Sequence, residues 1–239
     1  MEEDPVLALV KFGAAEHMAD LCTHGHLYMQ SVAYFRGLDA DAARSDVHEG
    51  LRYCYQASNT IFQVRVADSW TTVGGIQGPM LHRTDGNPVG NVYCMFALRG
   101  SHAEAFHCGH TQSLVDVERL AFGDTAVVFT NGDEFLRRVR TAAQNEGLHL
   151  QQHVVEYVDR RTYHGPMGSF RKFSEFTYQS ELRLLVKPEA EGARSLVLGS
   201  LEDIAMLCPL VELNRRLRIR TGRESCLTSG RTDNAARCR

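Results

Sequence analysis

The sequence predicts an α+β fold. Six or so segments have the apolar or alternating pattern of strands, and only three or four have helical spacing. The two kinds do not alternate strictly, as they would in a doubly wound sheet. The 239 residues suffice for one large domain or two small ones with a real core. Hydrophobic residues make up 44% and charged residues 23%, which excludes a disordered chain, a coiled coil and a collagen-like fibre.

The N-terminal half combines strand patterns with one helix and polar loops. Gly13 interrupts the first apolar run, and His24-Gly25 is a plausible end for the helix that follows. Apolar side chains recur at helical spacing in that helix, whereas partial period-two alternation marks the later sheet region. The predicted elements are a strand at 6–12, a helix at 14–23, a strand or strand-like loop at 26–35, a polar loop or short helix at 37–49, a sheet region at 52–66 and Gly- and Pro-rich turns at 71–89.

The C-terminal half contains the strongest candidate for a buried strand, the apolar run 91–98. One helical pattern in this half has Asp133 as an N-cap residue and ends before Gly147. The predicted elements are strands at 91–98, 125–130, 150–158, 176–186 and 196–198, helices at 134–145 and 201–218, and a basic, Gly-rich stretch at 160–172.

Charge is distributed unevenly along the chain. The whole sequence has a net charge of −3, but residues 214–239 contain eight Arg against two acidic residues. From about residue 221 the sequence loses apolar periodicity, which predicts a single domain at 1–220 and a basic, disordered tail at 221–239. Such a tail is either a solvated terminus or an arm that attracts a phosphate backbone.

Cysteine usage and the N-terminus predict a cytoplasmic protein. The seven cysteines are widely spaced and include no C-x-x-C pair, so free thiols in a reducing cytosol are expected. The chain opens with acidic residues rather than the basic start of a signal peptide. Its longest aliphatic run, residues 6–10, is far shorter than a membrane span requires.

Several catalytic and metal-binding motifs are missing from the sequence. It contains no P-loop, no G-x-G-x-x-G and no G-x-S-x-G, which disfavours a kinase, an ATPase, a Rossmann dehydrogenase and a serine hydrolase. Potential ligands lie close together in His24-Gly25-His26 and in the His-Cys-Gly-His run 107–110. Neither run has the paired spacing of a structural zinc site, so no metal is expected.

Two segments have features that suggest a functional site. Lys11 ends the first strand, and the segment after the helix contains Tyr28 and Ser31. Late in the chain, Glu181 begins an apolar strand and Gln179 precedes it by two positions, a spacing that places both side chains on one face. Both side chains are expected at one edge of the sheet. Spacing alone favours the alternative, an exposed edge with two polar residues.

This ordered set resembles the ADP-ribosyltransferase fold, in which a basic strand-one residue, a Ser or Tyr after strand two and a late Glu form the NAD site. It also resembles an uncharacterised bacterial domain family associated with phage-defence islands. That family opens with an aromatic-Lys-aromatic strand and a Gly-x-Leu-Tyr turn, and it closes on a strand like Glu181-Leu182-Arg183-Leu184. The likeness extends from about residue 9 to 204, and it implies split sheets of mixed or antiparallel strands.

The resemblance implies a mono-ADP-ribosyltransferase, a glycosyltransferase that uses NAD as substrate and requires no metal. Glu181 would stabilise the oxocarbenium charge that develops on the ribose. Gln179 would orient the acceptor and Tyr28 would stack on nicotinamide. Ser31 would support Glu181, and Lys11 would approach the NAD ribose or diphosphate.

The basic stretch before Glu181 occupies the place of the acceptor-recognising loop in the fold that the chain resembles. Its candidate acceptor-binding residues are Arg160, Arg161, Tyr163, Arg171 and Lys172. Cations that hold phosphates, with aromatic rings that stack on bases, slightly favour a nucleic acid (RNA or single-stranded DNA) over a protein acceptor. The resemblance further implies a bacterial toxin or antiviral defence effector with a possible antitoxin or inhibitor, and no membrane partner is expected.

Two other functions stay open on the sequence alone. One is a catalytically inactive domain of the same fold that binds a nucleotide or a protein partner. The other is a metal-dependent nuclease that uses Asp46, His48 and Glu49, although such a cluster also caps helices or anchors loops.

Overall fold

The apolar run that begins at Asn91 forms the central strand of the main sheet. In the computed structural model this strand extends over Asn91–Arg99, and nearly all of its residues are buried. The structure describes residues 4–38, 46–83, 90–120, 122–188, 190 and 192–220.

The strands outnumber the helices, and most of them are short. The strands are β1 (Val6–Gly13), β2 (His26–Ser31), β3 (Tyr53–Tyr55), β4 (Gln63–Val66), β5 (Ser69–Thr72), β6 (Met80–His82), β7 (Asn91–Arg99), β8 (Thr125–Phe129), β9 (His149–Val154), β10 (Glu156–Val158), β11 (Gly165–Pro166), β12 (Arg171–Phe173), β13 (Glu181–Lys187), β14 (Arg194–Val197) and β15 (Ala205–Pro209). The α-helices are α1 (Ala15–His24), α2 (Val32–Arg36), α3 (Gly100–His107), α4 (Val117–Leu120), α5 (Gly132–Asn145) and α6 (Leu213–Arg216). Short 3-10 helices occupy Ala57–Asn59, Gly168–Phe170, Ser174–Gln179 and Leu210–Glu212.

The main sheet is antiparallel and has eight strands. Its pairings run in the sequence β14-β2-β7-β1-β8-β15, in which β2 and β1 contact the same edge of β7. β13 pairs with the opposite edge of β7, and β9 lies beside β13. Smaller sheets join β3 with β6 and β11, β10 with β12, and β4 with β5. The prediction of an α+β fold with antiparallel sheets and few helices is confirmed.

The main sheet splits along one edge of β7. β1 pairs with the C-terminal half of β7, from Phe96 onward, and β2 pairs only with Asn91 and Val92. Between these contacts, no strand of the described residues pairs with positions 93–95 of β7 on this edge, whereas β13 pairs with the other edge without interruption from Asn91 to Phe96. The last residues of β1 pair with β8 alone. The two halves therefore diverge at the middle of β7.

Side-chain alternation divides the core into layers on the two faces of the sheet. Leu9 of β1 and Val127 of β8 pack with α1 and α5 on one face, whereas Val10 and Val128 lie on the other. Because both faces of these strands are covered, both faces carry mainly apolar side chains, and the strands show little polar alternation in sequence. A smaller cluster around Phe173 joins β12 to β3.

Several predicted elements differ from the observed ones. The helix predicted at 201–218 is wrong over most of its length: β15 lies there and pairs with β8, and the α-helical part is α6 near the end of the range. Pro209 would interrupt a helix at its middle. Residues 176–186 were expected to be strand throughout, but a 3-10 helix precedes β13. The strand predicted at 26–35 ends early because Ser31 caps α2. Asn131, not Asp133, is the N-cap of α5.

The predicted tail at 221–239 lies outside the described residues. In the part of the chain that the structure describes, no helix combines the length and apolar character needed to cross a membrane.

Candidate functional site

A cavity of about 790 Å³ opens where the main sheet splits. Its walls come from the end of β1, the start of α1, β2, the middle of β7 and the start of β13. This volume lies within the usual range for sites that bind drug-sized ligands and cofactors. The position follows from the pairing pattern, because the backbone of β7 is uncovered between β1 and β2.

Four of the five predicted catalytic and cofactor-binding residues line this cavity. Lys11 comes from β1, Tyr28 from β2, Gln179 from the 3-10 helix before β13, and Glu181 from the first position of β13. Lys11 and Glu181 are 170 residues apart in the sequence, so the four side chains come together only in the folded chain. The fifth, Ser31, is not among the described residues that line the cavity, and its Oγ accepts a hydrogen bond from the backbone N–H of Tyr34.

Lys11 bridges the split in the sheet. Its Nζ donates a hydrogen bond of 2.8 Å to the carbonyl oxygen of Cys94 and lies 4.2 Å from the centre of the Tyr93 ring. Cys94 lies in the stretch of β7 that lacks a strand partner on this edge, so the ammonium group supplies a donor to an otherwise uncovered carbonyl. Lys11 therefore links β1 to the middle of β7 and places a positive charge in the wall of the cavity.

Glu181 is buried in a network of ion pairs. One carboxylate oxygen accepts a 2.6 Å hydrogen bond from Lys172 Nζ, and the other accepts a 2.9 Å hydrogen bond from Arg183 Nη2. Lys172 Nζ also donates to Gln179 Oε1 at 2.8 Å, which brings the two predicted catalytic side chains together. Ser180 permits this arrangement because its left-handed backbone (φ 38°) turns the chain between Gln179 and Glu181.

Arg183 extends the network to a second buried acid, Glu49. The guanidinium donates to both Glu49 oxygens, at 2.6 and 3.0 Å, and to the carbonyl of Ser169 at 2.6 Å. Asp46 and Glu49 have oxygens 3.8 and 3.7 Å from Lys172 Nζ. The described cluster thus contains three carboxylates and two cations, all nearly excluded from solvent.

The network fixes which of these groups are charged. Burial alone would raise the pKa of Glu181, but Lys172 and Arg183 outweigh it and hold that pKa below its usual value. Burial and the neighbouring Glu49 raise the pKa of Asp46 to about 6. Burial raises the pKa of Cys94, which also lines the cavity, to about 11, so its thiol is protonated at neutral pH. Glu181 is therefore ionised at neutral pH, and Cys94 is not a thiolate nucleophile.

The raised pKa of Asp46 predicts an unusual pH dependence of stability. The folded protein binds this proton more tightly than the unfolded chain, so the ionised carboxyl lowers stability above pH 6, and this cost disappears below about pH 4. Asp46→Asn is therefore expected to raise the free energy of unfolding by about 1–3 kcal/mol at pH 7.5 and to change it little at pH 4. Urea unfolding across this pH range measures the difference.

Asp203 provides a control of opposite sign. A hydrogen bond from Arg138 lowers its pKa, so Asp203→Asn should reduce stability at pH 7.5, with the loss shrinking as the pH falls. An Asp46→Asn variant that is less stable than the native protein at pH 7.5 would contradict the conclusion that the ionised form of Asp46 destabilises the fold.

The predicted acceptor-binding residues are distributed differently from expectation. Arg160 and Arg161 are exposed, whereas Tyr163 and Arg171 are half-buried and contact each other, with Arg171 also paired to Glu156. Lys172 was expected on a surface loop, and this is corrected: it lies in β12, it is 6% exposed, and it binds Gln179 and Glu181. Successive side chains of a strand point to opposite faces. Phe173 packs into the smaller core, so its neighbour Lys172 points the other way, into the site.

The residues of the nuclease hypothesis are only partly brought together. Asp46 and Glu49 lie close to Glu181, but the His48 ring packs edge-on against Phe173 and lies near Arg160. The ammonium of Lys172 occupies the space between the three carboxylates. A divalent cation bound there would have to displace it, so this arrangement disfavours a metal-dependent nuclease centre among the described residues.

Comparison of the chain with family models, with curated proteins and with solved structures finds no match.

Proposed function

We propose that the cavity binds NAD and that the protein transfers ADP-ribose from it to a macromolecular acceptor. The observation that supports this is the convergence of Lys11, Tyr28, Gln179 and Glu181 on one cavity. The resemblance to the ADP-ribosyltransferase fold, which rests on sequence motifs alone, assigns the same residues to an NAD site. The cavity also has the cation, the exposed aromatic ring and the ionised carboxylate that a dinucleotide with a cleavable ribosyl bond requires.

In the proposed reaction, the bond between C1′ of the ribose and the nicotinamide nitrogen breaks, and its electron pair leaves with nicotinamide. The acceptor nucleophile forms a new bond to C1′ and gives up its proton to solvent or a nearby base. Positive charge develops on the ribose between these events, and the ionised carboxylate of Glu181 stabilises it. Lys172 and Arg183 orient that carboxylate through hydrogen bonds to both of its oxygens.

One observation favours the second candidate, a domain that binds a nucleotide without transferring it. Both oxygens of Glu181 already accept hydrogen bonds from cations, so its negative charge is largely neutralised before any substrate enters. Two fixed cations next to a developing oxocarbenium ion oppose catalysis. Transfer therefore depends on the other two carboxylates of the cluster. Glu49 shares Arg183 with Glu181, and when Asp46 is also ionised the three carboxylates outnumber the two cations, so the cluster has a net negative charge.

Labelled NAD separates these candidates. The protein is incubated with NAD labelled in the adenylate and with total RNA, DNA and protein from bacterial cells, and binding of NAD is measured in parallel by calorimetry. Label on a macromolecule supports transfer. NAD binding without transfer supports the second candidate. The absence of both binding and transfer would overturn the assignment of the cavity to NAD.

Gln179 provides a finer test of the site. Because Gln179 is proposed to orient the acceptor, Gln179→Ala should suppress transfer at least tenfold but spare slow NAD hydrolysis, in which water is the nucleophile. Both rates are measured on the same preparation by release of nicotinamide and by label on the acceptor. Equal loss of the two reactions would show that Gln179 acts on NAD or only positions Lys172.

The proposed acceptor is a single-stranded nucleic acid, supported by the exposed Arg160 and Arg161. Phosphate contacts release counterions, so binding of a single-stranded oligonucleotide should weaken steeply as salt rises. The double variant Arg160→Ala/Arg161→Ala should reduce the salt slope by one to two contacts, and label that appears only on protein would overturn this acceptor class. The likeness to a defence-associated family makes a toxin or defence-effector role part of the same proposal.

A further inference from the structure

Three potential metal ligands meet at the junction between α1 and β2. Asp20 and His24 lie four residues apart on α1, and His26 is the first residue of β2. Gly25 joins them in a left-handed conformation (φ 68°), and a Cβ atom there would lie 2.0 Å from the carbonyl oxygen of Gly199. The backbone therefore fixes this turn closely, and it presents both histidines to the same carboxylate.

The distances among the ligand atoms fit one coordination sphere. Nδ1 of His24 lies 2.8 Å from one oxygen of Asp20, and Nδ1 of His26 lies 2.9 Å from the other. All the ligand atoms lie within 4.8 Å of one another. Metal–nitrogen and metal–oxygen bonds of about 2.1 Å at right angles place neighbouring ligand atoms about 3 Å apart. The three groups can thus occupy adjacent positions around one ion with small side-chain movements.

We propose that Asp20, His24 and His26 bind a divalent transition-metal ion at the rim of the cavity. Two imidazoles and one carboxylate suit Zn²⁺, Fe²⁺, Co²⁺ or Ni²⁺ better than Mg²⁺ or Ca²⁺, which prefer oxygen ligands. All three side chains are partly exposed, at 43%, 62% and 41%, so a hydrated ion reaches them.

The location of the ion gives it a relation to the cavity. Asp20 and His26 both line the cavity, together with the exposed ring of Tyr28. Three protein ligands leave further coordination positions for water or for a ligand oxygen. The ion would add positive charge to the wall of the cavity that Asp20 and His26 form. This site is separate from the proposed NAD chemistry, which assigns no role to Asp20, His24 or His26.

Calorimetry with Zn²⁺ tests the site directly. The full chain is used without a histidine tag, after treatment with EDTA and dialysis, and Co²⁺ absorption provides a second readout of nitrogen coordination. One equivalent of Zn²⁺ is expected to bind. His24→Ala and His26→Ala should each weaken this binding more than about 100-fold, because loss of an outer-shell partner alone costs 10- to 100-fold.

His17→Ala is the matched control, since His17 is an exposed histidine on the same helix. It should leave the Zn²⁺ affinity unchanged. The altered histidines are exposed or partly exposed, so circular dichroism should show a native fold in every variant. The proposal is overturned if the native protein binds no Zn²⁺ below about 100 μM, if the His24 and His26 variants bind as tightly as the native protein, or if His17→Ala weakens binding equally.

Discussion

Replacement of Arg183 by Met is expected to lower the free energy of unfolding by about 3–5 kcal/mol. Arg183 is 1% exposed, and its guanidinium donates to Glu49, Glu181 and the carbonyl of Ser169. Without it, Glu49 loses the guanidinium that donates to both of its oxygens, and Glu181 keeps the hydrogen bond from Lys172 but loses the one from Arg183. Carboxylate charge is then left buried and poorly compensated. Removal of one partner from a buried ion pair has costs of this size, whereas the pair itself contributes little net stability. Urea unfolding at pH 7.5 measures the loss.

Two variants make this result specific. Arg171→Met removes a half-exposed arginine that pairs with Glu156, and it should cost no more than about 1 kcal/mol. The double variant Arg183→Met/Glu49→Gln should recover part of the lost stability, because it also removes the buried charge of Glu49 that Arg183 no longer compensates. An Arg183→Met protein as stable as Arg171→Met would show that the buried network is not held together as described.

The architecture was predictable where the local pattern and the tertiary environment agree. The run at 91–98 is apolar on both faces because the sheet is covered on both faces, and the observed strand differs by one residue. The helix predicted at 201–218 is the contrary case. Residues 205–209 instead pair with the edge of β8 that lies opposite β1. Pro209 was the local signal against a helix.

The site was only half predictable for a different reason. Glu181 and Gln179 are neighbours in sequence, so their association could be inferred from spacing, although a left-handed Ser180 rather than strand alternation brings them together. Glu49 lies 134 residues from Arg183, and no pattern in a single sequence joins them. An arginine inside the apolar strand Leu182–Val186 was itself the available signal, because a buried cation requires a buried carboxylate.

Glu181→Gln is expected to reduce ADP-ribose transfer at least about 100-fold, because the neutral amide cannot stabilise charge that appears only in the transition state. Its position at the start of β13 suggested an exposed side chain whose replacement leaves folding unchanged. That expectation is corrected: Glu181 is 6% exposed and accepts hydrogen bonds from Lys172 and Arg183. The glutamine amide retains one acceptor for Lys172 but turns a donor toward Arg183, so a stability loss of about 1–3 kcal/mol accompanies the loss of activity.

The two effects of Glu181→Gln are separable because they have different readouts. Transfer of labelled ADP-ribose is measured at a temperature where circular dichroism shows the variant fully folded, and NAD affinity is measured on the same sample. Lost transfer with NAD affinity preserved within about threefold identifies a group that acts in the transition state. Loss of both would mean that Glu181 maintains the structure of the cavity through its ion pairs with Lys172 and Arg183 and does not act on the substrate. Transfer above a tenth of the native rate would remove Glu181 from the catalytic role, and Glu175, in the 3-10 helix before β13, would be the next carboxylate to test.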